Sequence, residues 1–391
     1  MLVEEYDPFA AEVILDPYPY YDWLRREAPV YWNERTDLWA LSRYRDVFDA
    51  ARNTAVFSSA QGVGPARQPL AQMITRDPPV HTRLRGLVGR AFTPRVVEEL
   101  TPRIHEVVGE LLDAVVTKGA FELVADLAFP LPVIVIAELL GVAPERRDDF
   151  KRWSDEFVAF VSSTEAVRDR ARYDECWEEF RDCFARMIAE RRRRPADDLI
   201  SLLVAAAEGE DALTELEILN FCQLLLVAGN ETTTNLITNA ALVLFDLPEE
   251  RARVQAEPAL IPGMIEEVLR YDGPVQFVFR TTTEAVEVGG RTIPADAKVA
   301  LLWGAANRDG DAFPEPDRFD STRQPNAHFG FGYGIHYCLG APLARLEARI
   351  FTEIACRRFK WLGPDPAAAP TRLDGALIRG LERYPILFEA A

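Results

Sequence analysis

Ten residues, Phe331-Gly332-Tyr333-Gly334-Ile335-His336-Tyr337-Cys338-Leu339-Gly340, set three glycines around a single cysteine. Gly332 and Gly334 let the chain turn sharply and lie against something flat, and Gly340 does the same where a helix-like run, Ala341 to Arg358, begins. A cysteine just ahead of a helix meets backbone N–H groups and the positive end of the helix dipole. Both favour the thiolate, the form that binds metals. Two plainer readings stand beside this one. Most lone cysteines are buried structural residues, and a phosphate loop would need a glycine where Tyr337 stands.

A second cluster interrupts Leu219 to Phe245, which is apolar nearly throughout except at Asn230-Glu231-Thr232-Thr233-Thr234-Asn235. Polar groups buried without partners are costly, so this insert asks for a reason. A helix boundary with capping residues is one, and Asn230-Glu231-Thr232 is formally a glycosylation sequon. The chemical reading is that Ala228-Gly229 permits close approach of a ligand while Glu231 and Thr232 handle water and protons beside it. Elsewhere His81 and Arg85 share a helix face with Val88 and Phe92, half polar and half apolar, and Glu267 and Arg270 are spaced to pair along a helix.

Phe331-x-x-Gly334-x-x-x-Cys338-x-Gly340 resembles the haem-binding signature of the cytochrome P450 superfamily, and with His336 it is similar to the bacterial soluble branch. The resemblance implies the mainly α cytochrome P450 fold with small β-sheets (α+β), haem b as cofactor, and Cys338 as the axial thiolate of its iron. In this family the thiolate pushes electron density toward O–O cleavage. Glu267-Val268-Leu269-Arg270 matches the family's buried Glu-x-x-Arg. Pro316-Asp317-Arg318-Phe319-Asp320, after Asn307-Arg308-Asp309, is similar to the segment whose arginine completes that network. His81 and Arg85, following Asp77-Pro78-Pro79, match haem propionate contacts, as do Arg280 and His336; Ala228, Phe331, Gly332 and Gly340 complete the haem contacts. His105 and His328 take a structural reading.

The same resemblance makes Glu231 and Thr232 the acid-alcohol pair of oxygen activation, Thr232 donating a hydrogen bond to the reacting oxygen and Glu231 relaying protons. Asp is frequent where Glu231 stands. It implies a substrate pocket lined by Leu224, Val227, Ala228, Val275, Phe277 and Leu381, with Gly62 to Ile74 as a variable lid and Phe160 opposite. Only Arg67 and Arg379 are basic near these positions, which favours a hydrophobic or weakly polar substrate. The implied activity is a monooxygenase inserting one atom of O2 into a hydrophobic small molecule by hydroxylation or epoxidation. Its two electrons come from an external ferredoxin and ferredoxin reductase. A peroxygenase or reductase on the same fold, or a non-catalytic haem-binding protein, are the alternatives; the acid-alcohol pair favours the monooxygenase. Arg83, Arg90, Arg345 and Arg349 form a docking surface or pair with acids such as Glu347.

Apolar spacings of three and four predict the helices that carry these residues, over Val96 to Val116, Ala166 to Arg194, Glu215 to Phe245 and Leu260 to Tyr271. Short β-like runs fall at Val30 to Trp32, Leu38 to Ser42, Ala285 to Ile293 with Gly289-Gly290 as its turn, Val299 to Leu302 and Ile386 to Phe388. The likeness runs from Trp23 to Pro385, so one haem domain over 1–391 is expected, its β-rich portions near 28–44, 275–302 and 375–390.

With 391 residues, 48% of them hydrophobic, the chain is an ordinary globular one able to bury a large core. Its net charge of -18 argues against nucleic acid or an anionic membrane as a partner. Five cysteines without a CxxC pair point to a reducing compartment. Met1 to Pro8 is acidic, the wrong sign for a leader peptide, and Ala128 to Ala143 is interrupted by Pro130, Pro132 and Glu138, too short to span a bilayer. A cytoplasmic protein is the expectation.

Overall fold

The computed structural model describes residues 5–67, 71–162, 170–206 and 213–390. Its axis is a 32-residue helix, Glu215–Asp246, opened by a capping box in which Thr214 and Glu217 satisfy each other's backbone N–H groups. Helices Pro130–Leu139, Arg147–Ser162, Ile261–Tyr271 and Ala341–Arg358 pack around it. Their apolar faces meet in the largest hydrophobic core of the described residues. The periodic run Val96 to Val116 is two helices instead of one, Pro94–Glu99 and Thr101–Val116. Pro102 explains the break: lacking an N–H, it belongs in the first turn of a helix. The run from Ala166 is helical over Arg170–Arg193; its first residues lie outside the described ones.

Five strands form the main sheet in the order Val30–Asn33, Leu38–Leu41, Lys298–Leu301, Val278–Thr282 and Phe57–Ser58. Leu38–Leu41 and Lys298–Leu301 run parallel and the other pairs antiparallel. The predicted Gly289-Gly290 turn joins Val286–Val288 to Arg291–Ile293, and both glycines have positive φ. Alternation along the chain entering Val278–Thr282 sends Phe277 and Phe279 into one cluster with Tyr6, Tyr21 and Leu24, while Val278 packs into another with Trp303 and Phe329.

A buried ion network ties the helix Ile261–Tyr271 to the irregular segment after it. Neither side chain of the pair Glu267 and Arg270 is exposed; Arg270 donates to both Glu267 oxygens at 2.9 and 2.7 Å. Arg270 also donates to the carbonyls of Asn307, Pro316 and Arg318. Glu267 in turn receives the Asp320 N–H, Arg323 Nε and Asn326 Nδ2. The completing arginine is therefore Arg323, not one in Pro316–Asp320, whose Arg318 is exposed and pairs with Glu315. Removing one partner of a buried pair strands the rest, at a cost of about 3–5 kcal/mol. Glu267→Gln is expected to destabilise the protein by about that much in urea unfolding, and Arg318→Gln to change it by less than about 1 kcal/mol.

Candidate active site

The cysteine loop is closed by the Cys338 N–H donating to the Phe331 carbonyl at 2.9 Å. Gly332 and Gly334 sit at φ 69° and 70°, where a side chain would be strained, and a Cβ on Gly334 would press within 3.0 Å of the Ala51 carbonyl. Gly340 differs from expectation: its φ is -78°, and what its missing side chain leaves clear is the space beside the Cys338 sulfur, 3.8 Å from where a Cβ would lie. Burial pushes the Cys338 thiol up, opposed by the Gly340 and Ala341 N–H groups and by the charges of Arg85 and Arg345. A coordinating cation is what takes the proton from such a thiol.

Four nitrogen-bearing side chains gather beside this loop. The rings of His81 and His336 lie 4.4 Å apart, His81 Nδ1 is buried without a partner, and His336 Nε2 is 3.2 Å from Ser59 Oγ. Arg280 is 5% exposed and, among the described residues, donates only to the Phe279 carbonyl. Among the described residues neither Arg280 nor Arg85 has a carboxylate within ion-pair distance. Burial lowers both guanidinium pKa values, Arg280 to about 10, and drives His336 down to about 3, with Arg280, His81 and Arg85 adding to the effect. A buried cation, Arg280, and a half-buried one, Arg85, without counter-charge among the described residues suit an anionic ligand. This donor set beside a thiol fits a haem, whose two propionates would take the cations and whose iron would take the sulfur. Ser59 went unnoticed in the sequence; only the fold brings it to His336, and Asp77 holds it there by accepting from the Ser59 N–H and Ser58 Oγ.

On the central helix, the polar insert divides between two faces. Asn230 donates to Ser154 Oγ at 3.0 Å and Thr234 to the Ala128 carbonyl, both buried contacts to neighbouring helices. Gly229 faces helix Pro130–Leu139, where a Cβ would collide with Ile136, so it serves helix packing and not ligand approach. Ala228, although mid-helix, is exposed, and Leu224, Val227, Glu231 and Thr232 beside it are partly so. Thr232 Oγ1 donates to the Ala228 carbonyl at 2.7 Å. With its proton on that carbonyl, the hydroxyl keeps lone pairs able to accept from a ligand. Burial, with the Asp155 carboxylate nearby, lifts Glu231 to about 7.

Of the other pocket candidates, Val275 is partly buried and bridges Ile378. Phe277 and Leu381 are each 1% exposed and packed into hydrophobic clusters. Val278, one residue on, packs toward the opposite face of the strand. Phe160 stacks on Tyr173 at 4.2 Å between centroids. Within Gly62 to Ile74, Gln68 to Leu70 lie outside the described residues. Arg67 pairs with Asp296 and Arg379 with Asp272.

The four arginines of the expected docking surface are not equivalent. Arg83 pairs with Glu217, Arg345 with Glu266 and Arg349 with Glu353, while Arg90 is exposed. None pairs with Glu347, which is 1% exposed and lifted by burial to about 8. His328 pairs with Glu266. No helix among the described residues is long and apolar enough to cross a membrane.

A family model described as Cytochrome P450 matches residues 40–384. A vitamin D(3) 25-hydroxylase from Pseudonocardia autotrophica is 41% identical over 400 residues, covering 98% of this chain and 96% of the relative. The structure of CYP109Q5 from Chondromyces apiculatus superposes with a TM-score of 0.91 at 40% identity, covering 99% and 98% of the two chains. CYP109E1 from Bacillus megaterium, solved with testosterone, gives 0.87 at 37%, covering 95% of this chain and 99% of that one. The family binds haem b through a cysteine thiolate and uses it, with O2 and electrons from redox partners, to oxygenate small molecules. With relatives at 41% and 40% identity covered nearly end to end, the chain belongs to the cytochrome P450 family of haem-thiolate monooxygenases.

Proposed function

We propose that Cys338 is the axial ligand, that His81, Arg85, Arg280 and His336 hold the propionates, and that the whole chain forms one haem domain. The observation carrying this is the absence, among the described residues, of a carboxylate paired with Arg85 or Arg280 beside the only cysteine in a glycine-rich loop. Ala228, Phe331, Gly332 and Gly340 bound the same space. A haem held there would supply an iron at which O2 could be activated, with two electrons from the redox partner and two protons consumed for each oxygen atom inserted. Thr232 would orient a proton-bearing group beside the helix by accepting its hydrogen bond, and Glu231 would hold and deliver protons to that region.

The substrate is a neutral hydrophobic molecule that is hydroxylated or epoxidised. Leu224, Val227, Ala228, Val275 and Val278 offer apolar surface, and Arg67 and Arg379, which an anionic substrate would need, are each committed to a carboxylate of the protein. Relatives named for vitamin D3 and solved with testosterone support a fused-ring or isoprenoid skeleton. The reaction takes place in the cytoplasm. A ferredoxin, reduced by its reductase, supplies the electrons by docking near Arg90 and Arg349, the two of the four arginines least engaged by strong ion pairs.

Three outcomes test these roles. In Cys338→Ser the reduced, carbon-monoxide-bound holoprotein is expected to lose its thiolate-type absorption band; retention of that band would place the ligand elsewhere. Thr232→Ala is expected to keep consuming reductant while product falls several-fold and hydrogen peroxide rises, read by oxygen electrode and product yield. Glu231 is protonated below about pH 7 and ionised above it. As a proton donor it therefore makes product formed per electron consumed fall as pH rises through about 7. Glu231→Gln should lower the rate by about 10²-fold and flatten that profile.

A further inference from the structure

Behind the cysteine loop, on the side of helix Ile261–Tyr271, Glu266 joins two side chains from later in the chain, His328 and Arg345, into a trio. Glu266 receives Arg345 Nε and Nη2 at 2.6 and 2.7 Å, a two-point contact, and lies 3.0 Å from His328 Nε2. His328 Nδ1 accepts the Gly330 N–H at 3.0 Å, so its single ring proton is on Nε2 and points at Glu266. Arg345 then lies over the Phe331 ring, 4.4 Å from its centroid, and donates to Tyr337 Oη at 3.1 Å. Phe331 and Tyr337 bracket the loop: the Phe331 carbonyl holds the Cys338 N–H, and Tyr337 precedes the cysteine. Glu266 and Arg345 also line an outward-facing groove of about 480 Å³.

Of the three, Arg345 is near enough to the sulfur to act on it. The Arg345 charge favours the Cys338 thiolate. Burial alone would raise Glu266, but the bonds from Arg345 and His328 outweigh it and hold the carboxyl at about 2. Glu266 is thus ionised under all working conditions and balances Arg345. The adjoining Glu267 serves the other face of the same helix through Arg270 and Arg323, so neighbouring carboxylates have separate tasks.

Building on the assignment of Cys338 as the haem ligand, we propose that Glu266 is a positioning residue. It fixes Arg345 over Phe331 and, through His328, ties the start of the cysteine loop to its helix, which sets both the placement of the sulfur and the net charge that the haem iron feels from this side. A positive charge near the iron favours its reduced state, and a negative one disfavours it.

The experiment measures the haem reduction potential and the reduced, carbon-monoxide-bound spectrum of the holoprotein with Glu266→Gln, Arg345→Gln, both together, Arg345→Lys, and Arg357→Gln as control at the far, exposed end of the same helix. Glu266→Gln leaves Arg345 unbalanced and should raise the potential. Arg345→Gln leaves Glu266 unbalanced and should lower it, and the double variant should return near the wild type. Arg345→Lys keeps the charge but not the two-point contact, so its potential should stay close to wild type while part of the thiolate-type band converts to that of a neutral sulfur ligand. Shifts of the same sign in the two single variants, or no shifts with haem retained, would overturn the proposal. So would loss of haem from both single variants, since the trio would then serve only assembly. A wild type without the thiolate-type band would overturn the Cys338 assignment as well, which separates that failure from a failure of Glu266 alone.

Discussion

The Glu267 carboxylate, wholly enclosed between Arg270 and Arg323, is the interaction on which the thiolate side of the protein depends. Through Arg270 it gathers the carbonyls of Asn307, Pro316 and Arg318, and through Asp320 and Asn326 it anchors a stretch with little regular structure of its own. Asn307 extends the same scaffold by accepting the Phe329 N–H two residues ahead of the cysteine loop. A loop whose glycines leave it little intrinsic stiffness is thus held by charge and hydrogen bonds from outside.

Two cationic side chains, Arg280 buried and Arg85 half-buried, are handled in the opposite way. Arg85 and Arg280 are kept from the acids that could neutralise them, although the chain carries 62 acidic residues. Asp77 is the acid that favours the charged form of Arg280, and its hydrogen bonds go to Ser58 and Ser59. Burying cations in this state is unfavourable for the protein alone and favourable once an anionic ligand arrives, so binding energy is built into the fold.

The central helix shows how one element serves packing and chemistry at once. Asn230, Thr234 and Gly229 face its helical neighbours, while Leu224, Val227, Ala228, Glu231 and Thr232 recur at spacings of three and four on the more open side. The polar insert is therefore two sets of residues interleaved by the helical period. One set fastens the helix, and the other leaves the Glu231 carboxyl and the Thr232 hydroxyl partly exposed.

Local patterns in the chain were enough to identify the loop around Cys338, the central helix, the Glu267-Arg270 pair and the glycine turn at 289–290, because each depends on residues close in sequence. Spacing could also suggest that His81 and Arg85 belong together. It could not show that Arg323 rather than Arg318 completes the ion network, that Ser59 reaches His336, or that Gly229 answers Ile136, since those partners meet only after helices and loops far apart in sequence have packed. The face of Phe277 turned on a strand register that a one-residue slip reverses, and Leu381 disappeared into a core that no apolar residue announces by itself. Residue type determined what chemistry was available; tertiary packing decided which side chains were left open to perform it, because burial and counter-charge are properties of neighbours in space.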